Sequence, residues 1–168
     1  EAGMVNENDT RRFAAEIHKN ANRLLSLIND ILELSKLDNL SEELQIEAVD
    51  MYELVQNCAN MLEINASKRG ITIRIEGEET YVHGSKRMLE EVVYNLCDNA
   101  IRYNKENGQV LLKVTHEAEA VILQVKDTGI GIPKEHHNRI FERFYRVDKS
   151  RSKSTGGTGL GLAIVKHI

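Results

Sequence analysis

Three short stretches of this 168-residue chain combine residue types suited to holding an anion or a polar ring. The first is KDTGIGIP, residues 126–133, in which Asp127 ends an apolar run and Gly129 and Gly131 follow it. An ionised carboxylate only accepts hydrogen bonds, so Asp127 suits a donating edge, and the glycines remove side chains where something must approach the backbone. The second is a helix predicted from Ser85 to about Tyr103. Leu89, Val92, Val93, Leu96, Cys97, Ala100 and Ile101 form its apolar face, while Glu91, Asn95, Asn99 and Arg102 line another at steps of four, four and three. Asparagine weakens a helix interior, where a solvated face favours lysine and glutamate. Two readings of this face stand side by side. It is either solvated surface or a site where an amide oxygen ligates Mg²⁺, a carboxylate orients or deprotonates a nucleophile and a guanidinium holds phosphate.

The third stretch is GGTGLGLAIV, residues 156–165. Glycines running into an apolar helix present bare N–H groups and a positive helix end to an anion. The pattern lacks the G-K-[ST] ending of a Walker A loop, and its G-x-G-x-G spacing differs from the G-x-G-x-x-G of dinucleotide binders. Just before it, Arg143, Arg146, Lys149, Arg151 and Lys153 stand against the single acid Asp148. That local excess suggests a mobile basic flap from Tyr145 to Gly157 beside an anionic ligand.

The elements that must position these stretches follow from periodicity. From Thr10 to Leu37, Ile17, Ala21, Leu24, Ile28 and Ile31 step by four, three, four and three, the spacing of a bundle or coiled-coil helix, and Leu25, Leu27, Leu32 and Leu34 widen the stripe. Such a stripe needs a partner, which predicts self-association or a missing neighbour. LDNLSEE breaks the pattern and serves as a linker. Beyond it, LQIEAV, ITIRI and TYVH read as strands, and Asp50 to Arg69 as a helix with a basic last turn and a glycine stop at Gly70. QVLLKVTHE and AVILQVKD read as two strands joined near Ala118, and a last helix is expected from about Thr158. This irregular mixture predicts an α+β two-layer sandwich preceded by one long helix, not a doubly wound parallel sheet.

Composition narrows the function classes. A net charge of −4 with a pI near 5.9 argues against a nucleic-acid or membrane-surface binder. No apolar run approaches the ~18 residues of a membrane span. Cys58 and Cys97 fall in helical segments and read as reduced core residues, and the adjacent His136 and His137 lack thiols at zinc-site spacing.

Taken together, the motifs resemble the catalytic and ATP-binding domain of sensor histidine kinases of two-component systems. EVVYNLCDNAIRYN is similar to the family's asparagine box, DTGIGIP to its first glycine box, RIFERFYRVD to its phenylalanine box and GTGLGLAIV to its second glycine box, in the family's order. RRFAAEIHKNANRLLSLINDILELSKLD is similar to the second helix of the dimerisation and phosphotransfer hairpin. The resemblance implies a remnant of that hairpin at residues 1–39 and a catalytic domain at 40–168, truncated at its C-terminus. It implies that Asp127 accepts from the adenine amine, Gly129 and Gly131, with Ile132 beside them, admit the base, and Tyr103 packs on it. Arg102 and Arg146 would contact phosphates, with Tyr145 next to Arg146. Asn95 and Asn99 would serve the phosphate and Mg²⁺ region, Asn99 as metal ligand, while Thr158, Gly159, Leu160, Gly161 and Leu162 would hold phosphates. Glu91 matches the acid that assists the nucleophilic histidine. ATP with Mg²⁺, a histidine-bearing hairpin and a response regulator are the implied cofactors and partners, with a homodimer through residues 10–37 and no nucleic acid. The implied setting is a cytoplasmic fragment of a parent anchored in a bacterial inner membrane.

The acceptor histidine of the family sits in an H-E-x-x-x-P motif, and the chain's one proline is Pro133. His18 lies in IHKNAN, with no acid directly after it, and reads as the polar flank of a bundle helix. DTG also marks aspartic proteases, but those need two such carboxylates sharing a proton, and one copy is present. A non-catalytic nucleotide-binding and dimerisation module, or an anti-sigma-factor serine kinase, are the remaining alternatives.

Overall fold

The computed structural model describes residues 6–38, 44–147 and 157–168. The linker residues 39–43 and most of the basic flap, 148–156, lie outside them. The first element is a long helix, α1 (Glu7–Asp38). Its start is capped by Asn6, whose Oδ1 accepts from the Asp9 N–H at 2.8 Å. Ile17, Leu24, Leu25, Ile28, Ile31 and Leu32, the stripe read from the sequence, are all exposed. Among the described residues, no helix is long and apolar enough to cross a membrane.

Five strands follow: β1 (Glu47–Asp50), β2 (Thr72–Glu76), β3 (Tyr81–Gly84), β4 (Gln109–Glu117) and β5 (Ala120–Asp127). They form an antiparallel β1–β3 ribbon and a mixed β2–β4–β5 sheet, in which β2 and β4 run parallel and β4 and β5 antiparallel. A parallel pair needs a crossover, here supplied by β3 and α3 (Lys86–Arg102). β4 alternates, with Val110, Leu112 and Val114 buried, and Val121, Leu123 and Val125 of β5 pack on the same core. Above that face lie α3, which buries Val93, Cys97, Ala100 and Ile101, and α2 (Met51–Ser67), which buries Met51, Leu54, Val55, Cys58, Ala59, Leu62 and Ala66 at helical steps. One helical layer on one sheet layer is the expected α+β sandwich. Cys58 and Cys97 are both buried inside it, and the neighbouring Cys58 thiol, with burial, raises the Cys97 thiol above its ordinary value. The last helix, α4 (Gly161–His167), adds a small second core of Leu160 and Ile164 against Met88 of α3.

Local chemistry sets the boundaries. Asp50 caps α2 by accepting from the Tyr52 N–H at 2.9 Å and also takes the Thr80 N–H at 3.2 Å, tying the helix to the strand that follows. α2 ends in a Schellman closure: the Ile71 N–H reaches the Ala66 carbonyl and the Gly70 N–H the Ser67 carbonyl, each at 3.0 Å, with Gly70 at φ 65°. The first strand begins at Glu47, later than expected, with Leu44 and Ile46 exposed before it. α4 begins three residues after Thr158, because Gly159 turns the chain at φ 80° and the Thr158 hydroxyl takes the Leu160 N–H at 3.3 Å.

Arg69 does something other than complete a basic last turn. Its guanidinium leaves α2 and donates to the carbonyls of Ile101, of Arg102 at 2.7 Å and of Asn104 at 2.8 Å. The Ile101 and Arg102 carbonyls belong to the last turn of α3 and that of Asn104 to the chain just after it, so Arg69, in the turn that follows α2, closes the end of α3 from outside the helix. Arg69→Ala is expected to lower unfolding free energy by about 2–3 kcal/mol in urea titration. Arg69→Lys should recover less than half of that, because an ammonium lacks the planar fork.

Candidate functional site

The polar face of α3 is half-buried along its length. The Asn95 amide donates to the Glu91 carbonyl at 2.9 Å and to its carboxylate at 3.0 Å. A side chain on Gly161 would meet the Asn95 amide oxygen at 2.6 Å, so α4 starts directly against this face. Asn95 is therefore covered by its own chain, which a solvated face does not require. One turn on, the Asn99 carboxamide has no hydrogen-bond partner among the described residues. Arg102 lies over Asp98, with an ion pair of 2.7 Å and a second bond from Nε at 3.0 Å.

Tyr103 ends α3, and its carbonyl accepts the Ile130 N–H at 3.2 Å. That bond brings the first glycine stretch alongside the helix end. Asp127 Oδ1 accepts the Gly129 N–H at 2.7 Å in an Asx turn, while Oδ2 accepts nothing among the described residues and the side chain is exposed. The two glycines serve different needs. A Cβ on Gly129 would sit 2.4 Å from the Tyr103 carbonyl oxygen and 2.6 Å from Asp127 Oδ1, so its crowding comes from the chain itself. Gly131 faces open space and is required by its φ of 68°. Ile132 is exposed beside it, and its carbonyl takes a bond from His137 Nε2 at 2.9 Å.

A residue not singled out in the sequence holds these parts together. Asn104 is 4% exposed, and its amide donates to the Gln109 carbonyl at 3.0 Å while its oxygen accepts the Lys105 N–H at 3.0 Å and the Thr128 hydroxyl at 3.1 Å. The same hydroxyl takes the Gln109 N–H at 2.9 Å. One buried amide thus joins the end of α3, the start of β4 and the loop carrying Asp127. An asparagine directly after a helix-ending aromatic is the only sequence signal for it.

The C-terminal segments close the other side. The Tyr145 hydroxyl lies 2.6 Å from His136 Nδ1, and the Arg139 guanidinium stacks 4.3 Å from the Tyr145 ring centroid. Phe144, at φ 65°, donates its N–H to the Gly159 carbonyl at 2.9 Å. A Cβ on Gly159 would come within 3.0 Å of the Phe144 and Tyr145 backbone. Arg146 donates to the Gly157 carbonyl. Around Gly157, a Cβ would lie 3.2 Å from the Tyr103 hydroxyl, 3.6 Å from Arg146 Nη2 and 3.8 Å from Arg102 Nη1. Arg102 and Tyr103 at the end of α3 and the sequence-distant Arg146 therefore meet around Gly157. Thr158 points elsewhere: its hydroxyl donates to Asp30 of α1. Burial raises the Asp30 carboxyl above the ordinary carboxylate range, against the opposing pull of the Thr158 bond and the Arg102 charge. The Leu160 side chain is buried in the small core and offers only backbone to a ligand, while Leu162 is half-buried.

A helical layer on one face of a mixed sheet is the architecture of an ATPase-type domain. Residues 84–168 match the family described as Histidine kinase-, DNA gyrase B-, and HSP90-like ATPase, and the chain belongs to it. Among its relatives, Sensor-like histidine kinase SenX3 of Mycolicibacterium smegmatis is 38% identical over 94% of this chain and 41% of its own length. Sensor histidine kinase WalK of Bacillus subtilis is 34% identical over 100% of this chain and 28% of its own. The chain spans less than half the length of these relatives. A solved structure, full-length ShkA in complex with AMPPNP, superposes with a TM-score of 0.76 at 30% identity, covering 94% of this chain and 33% of that one.

Gly129→Ala must displace backbone, whereas Gly131→Ala meets only the conformational cost of its φ. Chemical denaturation is expected to show a loss of about 1 kcal/mol at position 131 and at least twice that at 129.

Proposed function

We propose that residues 40–168 are the ATP-binding catalytic portion of a sensor histidine kinase, and that residues 1–39 carry the second helix of its dimerisation and phosphotransfer hairpin. The observation that carries the reading is the meeting of Tyr103, Arg102 and Arg146 around Gly157 while Asp127 keeps one carboxylate oxygen outward. Asp127 takes the adenine amine through Oδ2, and Ile132 and Tyr103 flank the base. Arg102, Arg146 and the Thr158–Leu162 backbone hold the phosphates. The residues suit Mg²⁺ as well: among the described residues the Asn99 amide oxygen has no hydrogen-bond partner, and it lies on the face that bears Glu91 and Asn95. When bound there, Mg²⁺ would neutralise charge on the phosphate oxygens. Glu91, steadied by Asn95, is the acceptor for the proton on a nucleophilic imidazole nitrogen. The exposed stripe of α1 supports a homodimer through residues 10–37. A histidine-bearing hairpin and a response regulator are the protein partners, in a parent anchored in a bacterial inner membrane with this portion in the cytoplasm.

Asp127→Asn isolates the base contact. The amide oxygen can keep the Gly129 N–H, so the loop survives, but an amide donor then faces the adenine amine. Calorimetric titration with ADP is expected to show at least about a 10-fold loss of affinity, and an unchanged value would remove Asp127 from the site.

The chain alone with labelled Mg-ATP should form no phosphohistidine. His18 is exposed, and its Nε2 lies 3.0 Å from the Asn22 amide one turn along α1. Acid-labile label is expected only when a hairpin bearing the family's acceptor motif is added. Label on His18 would refute the assignment, and no transfer to a folded dimeric hairpin would favour a non-catalytic nucleotide-binding module.

A further inference from the structure

Among the described side chains of α1, all are exposed except Asp9, Leu27 and Asp30. Leu27 and Asp30, three residues apart, share the side of α1 that the contact with α4 and the loop before it covers. Asp30 accepts the hydroxyl hydrogen of Thr158, and the charges of Arg102 and Asp98 bear on its carboxylate. Arg102 is itself ion-paired to Asp98 at 2.7 Å and reaches the neighbourhood of Gly157. A helix that is otherwise solvated thus places a carboxylate on the hydroxyl of Thr158, whose backbone is assigned above to phosphate, and within the field of the Arg102 guanidinium so assigned.

We infer that Asp30 is an affinity-setting residue of the nucleotide site, a carboxylate that, held on the Thr158 hydroxyl beside the phosphate-holding backbone, opposes the ligand's phosphates and competes with them for the field of Arg102. The inference rests on the nucleotide reading of that site and adds to it a determinant outside residues 40–168. Its physical content is specific. A carboxylate beside a polyphosphate opposes it in proportion to the ligand's charge and leaves an uncharged nucleoside indifferent. Coupling is reciprocal, so a bound polyphosphate must weaken the hold of Thr158 on α1 as much as α1 weakens the hold on phosphate. A residue that merely ties α1 to the domain would instead affect all ligands alike.

The test uses the 168-residue chain, wild type against Asp30→Asn, titrated with adenosine, AMP, ADP and ATP in EDTA at low ionic strength. The amide keeps an acceptor for the Thr158 hydroxyl and removes only the charge. Expected are equal adenosine affinities and a gain that grows along the series to about 3-fold for ADP and about 10-fold for ATP, shrinking as salt is raised. Asp9→Asn, at the far end of α1, should leave the whole series unchanged, and thermal melts should show Asp30→Asn folded. A shift of the same size for adenosine and ATP would mark Asp30 as a structural tie and overturn the inference, as would no shift at all. If no adenine ligand binds either protein, the nucleotide reading itself falls and takes this inference with it.

Discussion

The C-terminus of α3 is the point at which the molecule is tied together. Helix ends leave carbonyls short of partners, and here the one guanidinium of Arg69 takes those of Ile101 and Arg102 in the last turn and that of Asn104 just beyond it. Tyr103, between them, gives its carbonyl to Ile130, and Asn104 gives its amide to Gln109 and its oxygen to Thr128. Four consecutive residues therefore fix α2, β4 and the first glycine loop against one another. Arg102 and Tyr103 are also two of the side chains that converge near Gly157. The same local closure that ends the helix aims these residues at the proposed nucleotide site, so the packing and the proposed function rest on the same residues.

The glycines illustrate how far a ligand explanation of a motif should extend. At Gly129 the close approach is made by the Tyr103 carbonyl and the Asp127 carboxylate, and at Gly161 by Asn95. Both are contacts within the chain. Gly131 differs, with open space around its Cβ position and a left-handed backbone. Of the positions read as admitting a ligand, this is the one whose surroundings leave room for something else.

Elements whose signal is local were legible in the sequence. The periods of four and three in α1, the alternation in β4 and the glycine stop of α2 each depend on residues a few positions apart, and each lies where the pattern placed it. What escaped depends on residues distant in sequence. Arg69 looked like a dipole-compensating last turn because nothing within α2 announces that α3 ends 33 positions later within its reach. Asn104 was not singled out, since its partners lie 5 and 24 positions away. Asp30 was not singled out either, and its partner is 128 positions away. The candidate face of α3 lay between these cases: spacing could put Asn95 beside Glu91, but only the packing of α4 distinguishes it from solvated surface.

The electrostatics of the site bear on how an acidic chain would hold a polyphosphate. Neither arginine at the convergence stands uncommitted: Arg102 is paired with Asp98, and Arg146 donates to the Gly157 carbonyl. Charged ligand groups must therefore exchange with partners already present, and each exchange returns only the difference between two charge-assisted bonds. Preformed partners have a compensating effect, because they hold the guanidiniums in place before any ligand arrives and reduce the ordering cost of binding. The balance favours moderate affinity with positions already set. On the proposed nucleotide reading, the intramolecular acids around Arg102, two on separate helices, are the points at which affinity would be tuned.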